Sequence, residues 1–431
     1  MFSISGGSRP GTWPAVLFLA SAVWAAPGSD PAASQFVARR AELRKALPNG
    51  AIVLFGRAEA DSDDLRSGFF QEPNFYYLTG WNQPGAVMVI EPERDILFLP
   101  VKDPEAEKWT GAKASAQDAN AAAITGFDHV KPSPTLEEEL LRLLARYPRL
   151  YALKGTTGAA RLERLAPLRD ISDARPAIAR LRMKKSREEI ALIERATEVS
   201  IEAHRAAWKR AEPGLYEYQI AATMEAVFVD RGCERPAYAP IVGSGPNSVF
   251  LHYSRNRRRM DGGEVLLMDV AAECAGYTSD ITRTIPVGRK FSKRQKEIYD
   301  VVLGAQKAAI AAIKPGMTIG KNTPNSIYKI AYDYIDTHGR DRRGETLGKY
   351  FTHGLSHHVG LEVHDASDIY APLEAGMVIT VEPGIYIPEE ELGVRIEDVV
   401  LVTEKGARVL SGALPRDAEE IEKAMKRSSQ P

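Results

Sequence analysis

Short apolar runs alternate with amphipathic segments over residues 34–175 of the chain. Apolar runs of this length between turn-forming residues are typical of buried strands, whereas a hydrophobic period of about 3.6 residues is typical of a helix. The pattern predicts a helix at Leu136–Arg146 and indicates a mixed α/β domain. The predicted strands are Ala51–Phe55, residues 75–78, Val87–Ile90 and Asp95–Leu99.

A second domain is predicted to begin after a linker at residues 174–180. Ser186 is followed three residues later by Glu189, which is the spacing of a capping box at a helix N-terminus. The pattern predicts a helix over residues 187–209. The predicted domains are residues 34–175 and 180–415, with residues 416–431 as a C-terminal tail.

A weak internal repeat predicts that the second domain consists of two related halves. A Pro-Gly pair at residues 213–214 and another at residues 315–316 each precede an amphipathic helix. Each helix is followed later by a turn and an apolar strand that leads to an acidic residue, Asp269 in the first half and Glu382 in the second. Two such halves would place their acidic residues on a shared sheet.

Acidic side chains interrupt or end the apolar strands of this domain. Asp269 interrupts one apolar run, Glu382 directly follows another, and Glu397 lies within a third. Each residue alone is explained by a strand end in water. Their joint pattern indicates a metal site, because a buried carboxylate needs a cation or a dense hydrogen-bond network.

Two further candidate ligands belong to the same pattern. Asp280 follows Asp269 across a turn, so both carboxylates lie on the arms of a predicted β-hairpin. His357 lies in a segment rich in histidine and glycine, residues 353–365. Four carboxylates and one imidazole suit Mn²⁺ or Mg²⁺ better than a zinc site built from thiolates.

Arg395 and Glu397 are two residues apart on the last predicted strand and therefore share a face. An arginine in this position is able to orient and charge-balance a ligating carboxylate. The predicted site therefore contains its own positive charge beside the metal ligands.

Length and charge limit the class of protein. A chain of 431 residues favours two domains. A formal net charge of −1 gives no electrostatic reason to expect nucleic acid or an anionic membrane as a partner. The chain contains no Gly-x-Ser-x-Gly nucleophile elbow, which argues against a serine hydrolase of that type.

The N-terminus predicts export. Arg9 precedes an apolar run at residues 15–26, which is shorter than the roughly 20 residues of a membrane span. We therefore predict a signal peptide at residues 1–26 and a periplasmic or secreted mature protein without a membrane anchor. Because Trp24 departs from the usual cleavage pattern, an uncleaved anchor and a mitochondrial leader remain alternatives.

The chain has two cysteines, Cys233 and Cys274. Two cysteines do not make a disulfide framework, even in an exported protein. Cys274 lies on the predicted hairpin and is expected to be a small packed residue.

The sequence resembles the pita-bread metallopeptidases, and among them most closely the Xaa-Pro aminopeptidases (the aminopeptidase P family). The resemblance covers nearly all of the mature chain and implies an α/β (α+β) fold, with a C-terminal pita-bread domain after a smaller α/β domain. The matching segments are residues 267–270, 277–284, 353–357, 381–386 and 394–398.

The resemblance implies a role for each candidate residue. Two divalent ions, Mn²⁺ in the first place with Co²⁺ or Zn²⁺ as alternatives, would be held by the five candidate ligands. Asp280 and Glu397 would bridge the ions, Asp269 would complete one site, and His357 with Glu382 the other. Glu382 would also accept a proton from the attacking water. The other implied site residues are His252 and His364 beside the reacting carbonyl, His353 near the substrate proline, and Tyr386 and Arg395 in supporting roles at the substrate.

The implied substrates are peptides with proline at the second position, and the implied assembly is a homo-oligomer. Three alternatives stay open. A prolidase shares the metal centre but cleaves only dipeptides, and a methionine aminopeptidase usually lacks a domain like residues 34–175. A non-catalytic pita-bread binding protein typically loses metal ligands, whereas all five are present here.

Overall fold

The computed structural model describes residues 31–58 and 68–426. The predicted signal peptide lies outside these residues. The first domain is built on a six-stranded sheet in the order β4-β3-β2-β1-β5-β6. Its strands are β1 (Ala51–Phe55), β2 (Val87–Ile90), β3 (Asp95–Leu99), β4 (His129–Pro132), β5 (Leu150–Ala152) and β6 (Ile171–Asp173).

Helices cover both faces of this sheet. They are α1 (Pro31–Ala46), α2 (Pro73–Thr79), α3 (Pro104–Thr110), α4 (Ala121–Thr125), α5 (Leu136–Arg146), α6 (Thr157–Leu165) and α7 (Arg175–Met183). In β1, Ile52 and Leu54 pack in one hydrophobic cluster with residues of α1, α2 and α7, whereas Val53 packs on the other face with residues of α5 and α6. A central strand buried on both faces requires a continuous apolar run, which is the pattern that predicted it.

Three of the four strands predicted in this domain are confirmed, and so is the helix at Leu136–Arg146. The strand predicted at residues 75–78 is wrong, because these residues belong to α2. Pro73 stands at the start of α2, the Glu72 side chain accepts the Phe75 amide, and Gly80 ends the helix in a left-handed conformation. These end signals outweigh the strand preference of the aromatic run.

The segment predicted as a linker is mostly helical. Residues 175–183 form α7, whose Ile178 is buried with the core of the first domain. Helix α8 (Arg187–Arg210) follows directly, and the predicted capping box between Ser186 and Glu189 is confirmed. The connection between the domains is therefore a packed helix.

The rest of the chain forms a larger α+β domain. Its first helices are α8 and α9 (Glu217–Asp230), and its later helices are α10 (Lys293–Ala312), α11 (Ile327–His338) and α12 (Ala418–Ala424). Part of the predicted C-terminal tail is thus the packed helix α12. The strands are β7 (Arg235–Pro236), β8 (Ile241–Ser244), β9 (Val265–Asp269), β10 (Ala272–Cys274), β11 (Tyr277–Thr278), β12 (Thr282–Pro286), β13 (Val378–Val381), β14 (Gly384–Ile387), β15 (Leu392–Arg395), β16 (Asp398–Thr403) and β17 (Gly406–Val409).

The order of elements repeats within this domain, as the internal repeat in the sequence predicted. Helices α8 and α9 pack together and precede the sheet β8-β9-β12, and helices α10 and α11 pack together and precede the sheet β13-β16-β17. The predicted hairpin is formed by β9 and β12, whose ladder begins with Thr282 opposite Asp269. Strands β10 and β11 pair separately within its connection.

A buried ion pair joins the two halves. The guanidinium of Arg283 on β12 lies 2.7 Å from the carboxylate of Asp398 on β16, and both side chains are fully buried. Gln306 of α10 donates to the same carboxylate and to the backbone oxygens of Val381 and Ile396. A paired and hydrogen-bonded buried charge fixes the relative position of the elements that carry it.

Across the described residues, none of the helices combines the length and the apolar character that crossing a membrane requires.

A disulfide bond joins Cys233, just after α9, to Cys274 at the end of β10. The expectation that Cys274 is only a small packed residue is wrong. Strand β7 pairs with β10 so that Arg235 lies opposite Glu273, and this pairing brings the two cysteine Cα atoms to 4.3 Å. The bond links positions 41 residues apart, so no local pattern revealed it.

We expect the Cys233→Ser/Cys274→Ser double variant to lose about 3–4 kcal/mol of unfolding free energy, because the bond closes a long loop in the unfolded chain. Urea denaturation followed by circular dichroism measures the change. The unmodified protein under a reducing agent is the matched control and should unfold like the variant. Equal midpoints for the oxidised protein and the variant would contradict the prediction.

Candidate metal centre

The predicted site residues converge on one cavity of about 330 Å³. Nine of the ten line it directly, and Tyr386 lies behind the wall in contact with His353 and Arg395. The nine are His252, Asp269, Asp280, His353, His357, His364, Glu382, Arg395 and Glu397. The two halves of the larger domain therefore contribute side chains to the same point.

The β9–β12 hairpin supplies two of the carboxylates. Asp269 ends β9, and Asp280 lies just before β12, outside the ladder. The hydroxyl of Tyr238 lies 2.5 Å from an oxygen of each carboxylate. One hydroxyl has a single proton, so it donates to only one of the two carboxylates at a time.

The second half supplies His357 and Glu382. The Nδ1 atom of His357 lies 3.1 Å from the backbone oxygen of His358, to which it donates. The Nε2 atom is thereby left to face Glu382 at 3.4 Å and Asp280 at 3.3 Å. A backbone acceptor on one imidazole nitrogen is a common way to orient the other nitrogen toward a metal.

Two threonines hold carboxylates in corresponding ways in the two halves. Thr282 on β12 donates to Glu397 at 2.6 Å. Thr380 on β13 donates to Glu382 at 3.2 Å and accepts the backbone amide of His357. Buried carboxylates keep one orientation only when their oxygens have partners of this kind.

Glu397 lies between β15 and β16, not inside one strand as predicted. It nonetheless reaches the site, where ligand atoms of Asp280, His357 and Glu397 lie within 4.8 Å of one another. Arg395 contacts Asp269 at 2.6 Å, so the carboxylate that it balances is Asp269. The arginine Nε atom also donates to Thr282.

The crowded carboxylates strongly disfavour full ionisation. Burial, and after it the charge of Asp269, raises the pKa of Asp280. Burial and the charges of Asp280 and Glu382 raise the pKa of Glu397 well above its usual value. Burial raises the pKa of Glu382 to about 7. Burial alone would lower the pKa of His357, but Asp280 and Glu382 raise it to about 9.

This charge pattern fits divalent cations. Four ionised carboxylates carry four negative charges, and Arg395 contributes one positive charge in contact with Asp269. The donors are oxygens and one imidazole nitrogen, the types that Mn²⁺, Co²⁺ and Zn²⁺ accept. The residues present therefore fit a metal site, where a bound cation would favour the ionised form of each carboxyl group.

A chain of hydrogen bonds runs from Arg395 to the rim of the cavity. Arg395 donates to the Tyr386 hydroxyl at 2.9 Å, and this hydroxyl lies 2.9 Å from Nε2 of His353. Nδ1 of His353 lies 2.7 Å from the oxygen of Gly354. Burial and the charge of Arg395 lower the pKa of His353 to about 3, so the ring is neutral, donates from Nδ1 and accepts at Nε2.

The two remaining predicted histidines are exposed at the cavity wall. The ring of His364 lies 4.3 Å from that of His357. His252 lies on a loop that the buried carboxylate of Glu217 anchors. Glu217 accepts hydrogen bonds from both the backbone and the side chain of Ser244, from the Asn247 side chain, from the Tyr253 hydroxyl and from the Arg258 amide. The loop on both sides of His252 is therefore fixed.

Sequence reasoning missed several supporting residues. Tyr238, Thr380 and Glu217 have no periodicity or motif that marks them, and Thr282 lies in the matching segment 277–284 but was given no role. His204 is another supporting residue; it lies on α8 and is fully buried. Its Nε2 atom is 3.1 Å from the oxygens of Val270 and Ile281, which directly follow the two hairpin aspartates.

Two family models match this chain. Residues 191–404 match the model described as metallopeptidase family M24, and residues 36–151 match the aminopeptidase P N-terminal domain. The two matches follow the two-domain organisation of the structure. They confirm the expected enzyme class, a metallo-aminopeptidase.

Individual relatives match over most of their length. The Xaa-Pro aminopeptidase of Haemophilus influenzae is 36% identical over 411 residues, which cover 88% of this chain and 94% of that protein. The Xaa-Pro dipeptidase of Pyrococcus furiosus is 33% identical over 360 residues, which cover 81% of this chain and 94% of that protein.

A solved structure of a relative has the same fold as this protein. Proline aminopeptidase P II from Yersinia pestis superposes with a TM-score of 0.80 at 31% identity, covering 91% of this chain and 99% of that one. The expected architecture, a smaller α/β domain before a pita-bread domain, is confirmed. Since sequence and fold agree over both domains, this protein belongs to the aminopeptidase P family of pita-bread metallopeptidases.

Proposed function

We propose that this metal-dependent aminopeptidase hydrolyses the bond between an N-terminal residue and a following proline, in peptides longer than two residues. The observation that carries the proposal is the convergence of Asp269, Asp280, His357, Glu382 and Glu397 on one cavity. The match of residues 36–151 to the aminopeptidase P N-terminal domain supports this reaction over dipeptide cleavage. Prolidase activity on the same centre is the alternative.

The five ligands would hold two ions: Asp269 would contribute to one, His357 and Glu382 to the other, and Asp280 and Glu397 to both. When bound, two adjacent divalent ions lower the pKa of a water molecule and polarise the scissile carbonyl. Mn²⁺ is the proposed ion, because the donor set is rich in carboxylates. Co²⁺ and Zn²⁺ fit the same donors.

Glu382 is proposed to accept the proton of the attacking water. Its Oε1 atom contacts both Thr380 and His357, and its Oε2 atom, which lies 3.6 Å from Nδ1 of His353, is the oxygen proposed to take the proton. His252 and His364 line the same cavity as exposed imidazoles, and they are proposed to donate to the substrate carbonyl as negative charge develops on its oxygen.

His353 is proposed to contact the substrate proline. The ring is neutral, is held by Tyr386, and packs edge-on against Phe351 with 5.2 Å between ring centres. A proline ring is apolar and its nitrogen has no proton to donate in a peptide bond, so it suits a neutral aromatic surface. Tyr386 and Arg395 would keep this surface in place.

Export is proposed as well, in the periplasm or outside the cell. The apolar run at residues 15–26 supports it, and so does the disulfide between Cys233 and Cys274, because such bonds persist in oxidising compartments. The homo-oligomer expected from the family resemblance stays a prediction.

The decisive experiment compares an Xaa-Pro-Yaa tripeptide with the Xaa-Pro dipeptide. We expect metal-loaded protein to release the N-terminal residue from the tripeptide, with little cleavage of the dipeptide, as measured by chromatography of the products. An Xaa-Ala-Yaa tripeptide is the control for proline dependence. Cleavage of the dipeptide alone would replace the proposal with a prolidase.

We expect chelation to abolish activity and added Mn²⁺ to restore it. The Mn²⁺ concentration for half-maximal reactivation should fall as the pH rises from about 6 to 9. Ligands must lose protons to bind an ion, and in the ion-free site the pKa values of Asp280, Glu382 and Glu397 are raised while that of His357 is about 9. Protons therefore compete less well at higher pH. A reactivation curve independent of pH would contradict this charge balance.

We expect Glu382→Gln to reduce kcat by about 10²-fold or more, because the variant loses a proton acceptor and a metal ligand. Steady-state kinetics with bound metal quantified in each preparation separates the two losses. Glu374→Gln is the matched control, because that side chain is 61% exposed and pairs with Lys184. Full activity in Glu382→Gln would remove this residue from the mechanism.

A further inference from the structure

The exposed histidine His364 stands at the end of a tight loop whose interior is a buried carboxylate. The loop runs from His358 to Asp365, and the Asp365 amide closes it by donating to the His358 oxygen at 2.9 Å. The Asp365 side chain is 2% exposed. Gly360 lies against it so closely that a Cβ atom there would overlap the carboxylate. The position of His364 therefore depends on the residue that follows it.

Two buried cations from the interdomain connection neutralise this carboxylate. Arg182, near the end of α7, contacts one oxygen of Asp365 at 2.5 Å, and Lys185 contacts the other at 3.1 Å. The side chains of both cations are 1% exposed. The Arg182 guanidinium also contacts Glu362 of the same loop at 2.9 Å and Asn74 of the first domain at 2.8 Å.

The contact of Asp365 with Arg182 and Lys185 is favourable only when all three charged groups are in place. Burial alone would raise the pKa of Asp365, but Lys185 and Arg182 hold it below its usual value, so the group is ionised. An ionised buried carboxylate without its cations is unfavourable, and so are two buried cations without their carboxylate. The loop that carries Asp365 and the connection that carries Arg182 and Lys185 therefore stabilise each other's conformation.

We propose that Arg182 and Lys185 are positioning residues for the active site, which hold His364 in the cavity through Asp365. The first domain takes part through Asn74 and through the packing of α7, so its docking and the geometry of the reacting centre are linked. This inference rests on the proposed function, and in particular on the role given there to His364. A purely structural role would stabilise the fold without acting through His364.

A double-mutant cycle between Asp365 and His364 separates these roles. We expect Asp365→Asn to lower kcat on the Xaa-Pro-Yaa tripeptide by about tenfold or more, with KM changed by less than about threefold. We expect His364→Ala/Asp365→Asn to be within about twofold of His364→Ala, because the carboxylate then has no histidine to position. A structural role would instead slow both backgrounds by the same factor.

Two further variants keep the test sharp. Asp368→Asn is the matched control. Asp368 lies three residues after Asp365, and its exposed carboxylate accepts a hydrogen bond from the Tyr370 amide. The kcat of this variant should equal that of the unmodified protein. If Asp365→Asn does not fold, Arg182→Lys carries the cycle. It retains the charge but not the fork that reaches Asp365, Glu362 and Asn74 together, and a severalfold loss of kcat should again vanish without His364.

The outcomes of failure are distinguishable. An unmodified protein that leaves the tripeptide intact contradicts the proposed function. An active protein in which the losses from Asp365→Asn and His364→Ala multiply, or in which either variant retains full kcat, overturns the positioning role of Arg182 and Lys185 and leaves the proposed cleavage reaction standing. Full kcat in His364→Ala also removes the role proposed for His364.

Discussion

The enclosure of four carboxylates in one cavity is the constraint on which the rest of the structure depends. Asp269, Asp280, Glu382 and Glu397 line the same cavity, where burial and neighbouring negative charges raise the pKa of Asp280 and Glu397. Such a group is stable only with added positive charge. Divalent ions meet this need, and the same cationic charge is what peptide-bond hydrolysis by an activated water requires.

The surrounding fold prevents these side chains from relaxing away from each other. Thr282 fixes Glu397 and Thr380 fixes Glu382, and His204 bonds both arms of the hairpin that bears the aspartates. The buried pair of Arg283 and Asp398 locks the two halves together just behind the site. The repulsion within the centre is thus opposed by paired charges and hydrogen bonds around it.

The first domain contributes directly to the contacts that hold the active site in place. Helix α7 packs with its core and presents Arg182 to the loop that carries His364. A second buried contact joins Arg39 of α1 to Glu189 of α8 at 3.0 Å. The energy of an ionic contact that excludes water depends strongly on its geometry. Such contacts therefore specify the orientation in which the two domains dock.

The sequence by itself determined the elements whose signals are local. The strands at Ala51–Phe55, Val87–Ile90 and Asp95–Leu99 follow from apolar runs, the start of α8 follows from its capping box, and the five ligands were found because each carboxylate or imidazole stands in a motif. Tertiary structure decided the contacts between distant positions: the bond from Cys233 to Cys274, the placement of Tyr238 between two aspartates, and the neutralisation of Asp365 by Arg182. The physical reason is range. Periodicity and capping act over a few residues of chain, whereas burial and charge compensation are set by neighbours that only the folded chain brings together.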